Sequence, residues 1–204
     1  MSIKINNPFE QEFWPCFTDI ICGLLALFVF ILVISLFHQS TQARQIKAQE
    51  QKLLVIKKRN EKLEEDLQGA VKAGLITIED GHIDIMANIL FPVGSNKVSK
   101  AGRNLLKELS SPLNNYILDS PDMIMVSGFT DDILIRNQKF PSNWELSTAR
   151  ATEVVKLLIT FGVQANKVFA AGFGEFHPIV VNSDEVSRKR NRRVEISRVP
   201  VQLP

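Results

Sequence analysis

The sequence predicts an α/β protein in three parts: a single N-terminal transmembrane helix, a coiled-coil stalk, and an α/β sandwich domain of two layers with helices packed on one sheet face. Three observations predict it. Phe17 to Phe37 is an almost unbroken apolar run, long enough to cross a bilayer. The polar run after Ser40 contains no proline and is built of strong helix formers. From Leu75 onward, short apolar or alternating segments are interleaved with amphipathic ones, the pattern of strands alternating with helices. The expected boundaries are 1–14 for a tail, 15–38 for the span, 39–73 for a coiled-coil linker and 74–204 for the domain.

The run FTDIICGLLALFVFILVISLF rises about 31 Å as a helix, close to one hydrocarbon thickness. Trp14 is placed as an interfacial anchor, which puts Asp19 about 7 Å deeper. Asp19 is the only formal charge in the run, and an ionised carboxylate at a helix centre costs about 2.5–3.5 kcal/mol on insertion scales. Two readings of Asp19 stand: it lies near enough to the surface to snorkel, or it is kept for use. The run is too long for a signal peptide and has neither a basic stretch before it nor a small-residue cleavage site after it, so a retained anchor is expected. Cys16 and Cys22 both sit at the start of the span, without metal spacing, and read as membrane packing residues rather than a disulfide framework. Arg44, Lys47, Lys52 and Lys57 follow the span, whereas Lys4 before it is offset by Glu10 and Glu12. The positive-inside rule alone would place the C-terminal bulk in the cytoplasm.

In the stalk, Ile46, Leu53, Asn60 and Leu67 fall at one heptad position and Gln49, Ile56, Leu63 and Ala70 at the other. A parallel dimer held in register by Asn60 is one reading; a monomeric, solvated stalk is the other. Gly74 is expected to close this helix. The segment LITIEDGHIDIMANILF alternates around Glu79-Asp80-Gly81 and reads as a hairpin or strand pair. Ser99 caps a helix carrying Leu105, Leu106 and Leu109, with Pro112 near its end. MIMVSGF reads as a buried strand, ELSTARATEVVKLLITFG as an amphipathic helix ended by Gly162, and KVFAAGFG and RRVEISRV as strands.

A formal net charge of +2 excludes a general polyanion binder. His38, His82 and His177 make no nucleophile–base pattern with the scattered serines, so no enzyme and no cofactor or metal is expected. Polar residues collect in two stretches read as loops, Gly128-Phe129-Thr130-Asp131-Asp132 and Arg188 to Arg193, with Arg150 on the helix between them. An Asp for an ammonium and an Arg for a carboxylate suit a zwitterionic ligand; a structural salt bridge explains the same pair.

The segments GFTDD, FPSNWELSTARATEVV, GVQANKVFAAGFGEFHP and RKRNRRVEI, in that order, resemble the peptidoglycan-binding domain shared by OmpA and MotB, over about residues 75–199 and with FPSNWELSTARA closer to the MotB branch. The resemblance implies that Asp131 and Arg150 hold the diaminopimelate of the wall peptide, with Thr130, Asn143, Leu146 and Arg193 at neighbouring positions of the pattern. Phe129 stands where the family often has His, a departure that removes a hydrogen-bonding group.

An Asp at the start of a lone span is also similar to MotB-type stator subunits, in which two B subunits sit inside a pentameric ring of A subunits. The resemblance implies that Asp19 carries protons or sodium ions, that the chain is a homodimer partnered by a multi-span MotA-like or ZorA-like ring, and that it lies in the bacterial inner membrane. A wall-binding domain has its ligand only outside that membrane, so the N-terminus is expected in the cytoplasm, against the flank charges. The mildly acidic tail and TDIICGLLALF depart from flagellar stators and lean toward a non-flagellar one, of which ZorB of the Zorya anti-phage system, signalling to cytoplasmic effectors through its A subunit, is an example. A flagellar MotB subunit and a passive OmpA-like anchor are the alternatives.

Overall fold

A computed structural model describes residues 8–79, 81–118 and 120–201, with side chains from Phe17 onward. The tail through residue 7, the side chains of Trp14 and Cys16, and Asp80 of the expected turn lie outside the described residues. The helix α1 runs from Pro8 to Lys72, and the chain divides within it into two compact units, residues 1–56 and 57–204.

In the first unit the apolar run is helical throughout, and Ile20, Leu24, Leu27, Phe28 and Ile31 are all exposed. No protein surface covers this stretch among the described residues, so its apolar side chains need lipid or a partner.

The second unit is built on a five-stranded sheet ordered β1-β2-β5-β3-β4. β1 (Thr77–Glu79) and β2 (His82–Met86) form the expected antiparallel hairpin. The expected strand over ANILF is instead a short helix, α2 (Ala87–Leu90). The ladder of β2 ends where Met86 meets Arg193, the first residue of β5 (Arg193–Val199); beyond it no strand remains to pair with, and the backbone closes on itself through Phe91 N to Ala87 O, 2.7 Å.

Ser99 caps α3 (Lys100–Ile117) by accepting from Gly102 N, and the helix continues past Pro112. β3 (Met123–Phe129) is joined through α4 (Asn143–Thr160) to a parallel strand, β4 (Val168–Gly174). Gly162, at φ 106°, ends α4 as expected. The basic run read as a loop is largely helical, α5 (Glu185–Asn191): the Asp184 carboxylate accepts from Ser187 N and caps it, satisfying a backbone donor that would otherwise be orphaned.

One layer of the sandwich is the sheet face bearing Ile83, Ile85, Ile124, Val126, Val194 and Ile196, and the other is helical, with Leu106 and Leu109 of α3 and Val154 and Leu158 of α4. The last turns of α1 join this core through Leu63, Leu67 and Ala70, and Tyr116 Oη donates to Asn60 Oδ1 at 2.8 Å. Half of the expected heptad seam is thus occupied within one chain, and Asn60 has a partner in α3. Ile46 and Leu53, in the first unit, remain exposed.

Candidate functional site

A pocket of about 440 Å³ opens where β3 leaves the sheet. After a bulge between Gly128 and Phe129 the chain enters Thr130-Asp131-Asp132. Thr130 N donates to Gly174 O at 2.9 Å, so the ends of two parallel strands jointly set this loop. The opposite wall is α2 and the turn after it, through Phe91, Pro92, Val93 and Gly94. Ser99 fixes that wall, with its Oγ donating to Ile89 O at 3.1 Å and its N to Leu90 O at 2.8 Å. α4 supplies the floor with Asn143, Leu146 and Arg150, all on one helical face.

Arg150 is 6% exposed. Its Nε donates to Ser95 O at 3.0 Å and its guanidinium lies 5.1 Å from the Phe91 ring centroid, which ties α4 to the opposite wall. No carboxylate pairs with it among the described residues, and its two terminal nitrogens have no hydrogen bond there. Burial, reinforced by the neighbouring Arg192 cation and opposed by Asp131, pushes its pKa down to about 10. A desolvated cation without a counter-ion is a receptor for an anion.

Asp131, 5% exposed, is held differently. Its Oδ1 accepts from Ile133 N at 3.3 Å, and its Oδ2 from Arg192 Nη1 at 2.5 Å. Arg192 also donates through Nη2 to Glu185 at the start of α5. Asp132 is engaged by Arg188 Nε at 2.9 Å. The site therefore presents one buried acid and two guanidiniums, of which one is uncompensated.

Thr130, Asp131, Asn143, Leu146 and Arg150 all line the pocket. Two of them have their polar groups committed to the loop. Asn143 Oδ1 accepts from Ile135 N at 3.2 Å while its Nδ2 donates to Ile133 O at 3.2 Å, and Thr130 Oγ1 donates to Asp131 O at 2.9 Å. They shape the cavity rather than offer it free donors.

Arg193 is not in the pocket lining. Val194 and Ile196 face the helices, so strand alternation turns Arg193 to the opposite sheet face. There its guanidinium sits 3.8 Å from the Phe129 ring centroid and within ion-pair reach of Asp84 and Glu195. Phe129 stacks on Phe173 on that side, in place of the hydrogen bond a His would make. Arg192 and Glu185, together with Ile133 to Ile135 and the wall from Ala87 to Gly94, are the pocket residues that motif reading missed. The strand parity of RRVEI was the available signal for the first of them.

The family model described as "OmpA family" matches residues 90–192, which contain every residue of this pocket except Ala87 and Asn88. The chain belongs to the OmpA family. Within it, Motility protein B of Bacillus subtilis (strain 168) is 35% identical over 160 residues, covering 78% of this chain and 57% of that protein. The chain thus spans little more than half of that relative. The cell wall anchor of the T6SS from Pseudomonas aeruginosa superposes with a TM-score of 0.61 at 31% identity, over 69% of this chain and 97% of the anchor. The periplasmic domain of Helicobacter pylori MotB superposes at 0.55 with 28% identity, over 62% of this chain and 79% of that domain. The mixed sheet with helices on one face is thus the architecture of this OmpA-family domain and of the MotB periplasmic domain alike.

Proposed function

We propose that this chain is the wall-anchored, ion-conducting B subunit of a rotary stator in a bacterial inner membrane. The observation that carries the reading is a lone carboxylate, Asp19, in an apolar helix on the same chain as a pocket pairing Asp131 with an uncompensated Arg150. The similarity to Motility protein B, which is longer than the domain match, supports it. In this reading two chains stand parallel inside a ring of five MotA-type subunits, with the N-terminus cytoplasmic and the domain periplasmic. Asp19 alternates between neutral and ionised as protons or sodium ions pass. The departures of TDIICGLLALF from flagellar spans favour a ZorB-like subunit of an anti-phage system over a flagellar one.

The pocket's ligand is a wall peptide, bound through the zwitterionic end of diaminopimelate: its carboxylate on the fork of Arg150, its ammonium at Asp131. Removing one partner of a charge-assisted contact costs about 1.5–3 kcal/mol, roughly ten- to a hundredfold in affinity. Arg150→Ala and Asp131→Ala chains are therefore expected to stay in the supernatant when wild type pellets with purified sacculi. Unchanged pelleting of both would remove the wall-binding role.

Dimerisation belongs to the exposed part of the stalk. With Cys16 and Cys22 replaced by Ser, Leu53→Cys is expected to give disulfide-linked dimers in membranes that also contain the A subunit, because Leu53 is exposed on the expected seam. A monomeric product under those conditions rules out the parallel dimer.

A further inference from the structure

We propose that Arg192 is the pocket's built-in counter-cation, which the ammonium of an arriving amino acid displaces from Asp131 toward Glu185. The proposal rests on the wall-peptide reading above and assigns how that site exchanges partners. Its ground is an asymmetry between two guanidiniums on one cavity. Arg150 is buried and, among the described residues, makes a single hydrogen bond, to a backbone carbonyl. Arg192 is divided between two carboxylates, Asp131 inside the pocket at 2.5 Å and Glu185 at its rim.

The side chain of Glu185 is 70% exposed and that of Asp131 only 7%. The inner acid therefore lies where a ligand must be desolvated, and the outer one where Arg192 can keep a partner without entering the site. Asp132 is not an alternative partner, because Arg188 holds it. An ammonium reaching Asp131 would otherwise share one carboxylate with a guanidinium already seated on it and with Arg150 close by, an arrangement of like charges that is costly at low dielectric. Retreat of Arg192 onto Glu185 relieves it. A ligand with carboxylates alone needs no such exchange: it takes Arg150 and leaves the Arg192–Asp131 pair closed.

The mechanism fixes opposite signs for two ligands. With the full chain in detergent, titration calorimetry of diaminopimelate is expected to give tighter binding to Arg192→Gln than to wild type, by about fivefold, the scale of a partly exposed ion pair. Pimelate, which lacks both amines, is expected to bind that variant more weakly, because Asp131 then faces the ligand without its cation. Glu185→Gln, at an exposed side chain that does not threaten folding, is expected to weaken diaminopimelate binding, since the displaced Arg192 loses its second partner. Weakening of both ligands together by Arg192→Gln overturns the exchange and assigns Arg192 a direct contact with a ligand carboxylate. An unchanged affinity in Glu185→Gln also overturns it. A wild-type chain that binds neither ligand nor sacculi overturns the wall-peptide reading itself.

Discussion

If the chain is the proposed stator subunit, Asp19→Asn is expected to abolish motor output, scored as swimming or as phage resistance in the native host, while assembly with the A subunit and pelleting with sacculi stay at wild-type levels. Asn reproduces the shape and polarity of Asp and cannot ionise, so the substitution removes the exchangeable charge and little else. Ile20, Ile21 and Leu24, close to Asp19 on α1, are exposed, and the pocket belongs to a separate compact unit, so wall binding is expected to survive the change. Burying the ionised form near the end of the span costs less than the ~2.5–3.5 kcal/mol of a helix centre, but it is still a cost that a passive tether would shed by carrying Asn or Ser. Asp19→Glu keeps a carboxylate one methylene further along the path and is expected to retain part of the output. Full function in the Asn variant, with assembly confirmed in the same membranes, would reduce the protein to an anchor.

How far the sequence could be read depended on whether a residue pattern has one physical solution or two. The apolar run from Phe17 has one, and so do Ser99 as a cap and Gly162 as a helix end. The motif residues Asp131 and Arg150 came together because each is tied to a strand end or helix face whose geometry is local. The heptads have two solutions. Leu63, Leu67 and Ala70 recur at the same spacing whether their partner is a second chain or their own domain, and Asn60 is equally at home at a dimer seam or against Tyr116. Only the packing of α1 on α3 separates them. The basic run from Arg188 has the composition of a solvated loop, and its helix depends on Asp184 as a cap and on Asn191. The latter is fully buried and ties the preceding loop through Ile179 N, Val180 N and Val180 O. Arg192 and Arg193 are adjacent in sequence and opposite in role, because the first ends α5 and the second begins a strand whose faces alternate. A motif match cannot choose between neighbours, but the register with Val194 can.

Gly128→Ala is expected to lower domain stability and wall binding together, because it acts on the joint that brings the two halves of the pocket into one place. A Cβ at Gly128 would stand 2.2 Å from Ser147 O and 2.9 Å from Ser147 C, which are backbone atoms of α4. Gly172, its cross-strand partner, leaves room for Thr148 in the same way, with a Cβ only 2.6 Å from Thr148 N. The paired glycines let α4 lie directly on β3 and β4, and Ser147 Oγ locks the contact by accepting from Gly174 N at 3.0 Å. Helix backbone cannot yield as a flexible side chain would, so relief requires α4 to move off the sheet. Overpacking of this kind costs about 3 kcal/mol, roughly 10 °C in thermal midpoint for a domain of this size. The displacement also separates Arg150 on α4 from Asp131 beyond β3, so binding to sacculi should fall even at temperatures where the variant remains folded. Gly69→Ala supplies the contrast: it lies within helix α1, its Cβ would meet only Glu108 Oε1 at 3.8 Å, and the gain in helix propensity should stabilise the domain by about 0.5–1 kcal/mol. Equal midpoints for Gly128→Ala and wild type would mean that α4 does not depend on this close approach. A lower midpoint with wild-type sacculus binding would instead separate the fold's tight joint from the pocket it is argued to assemble.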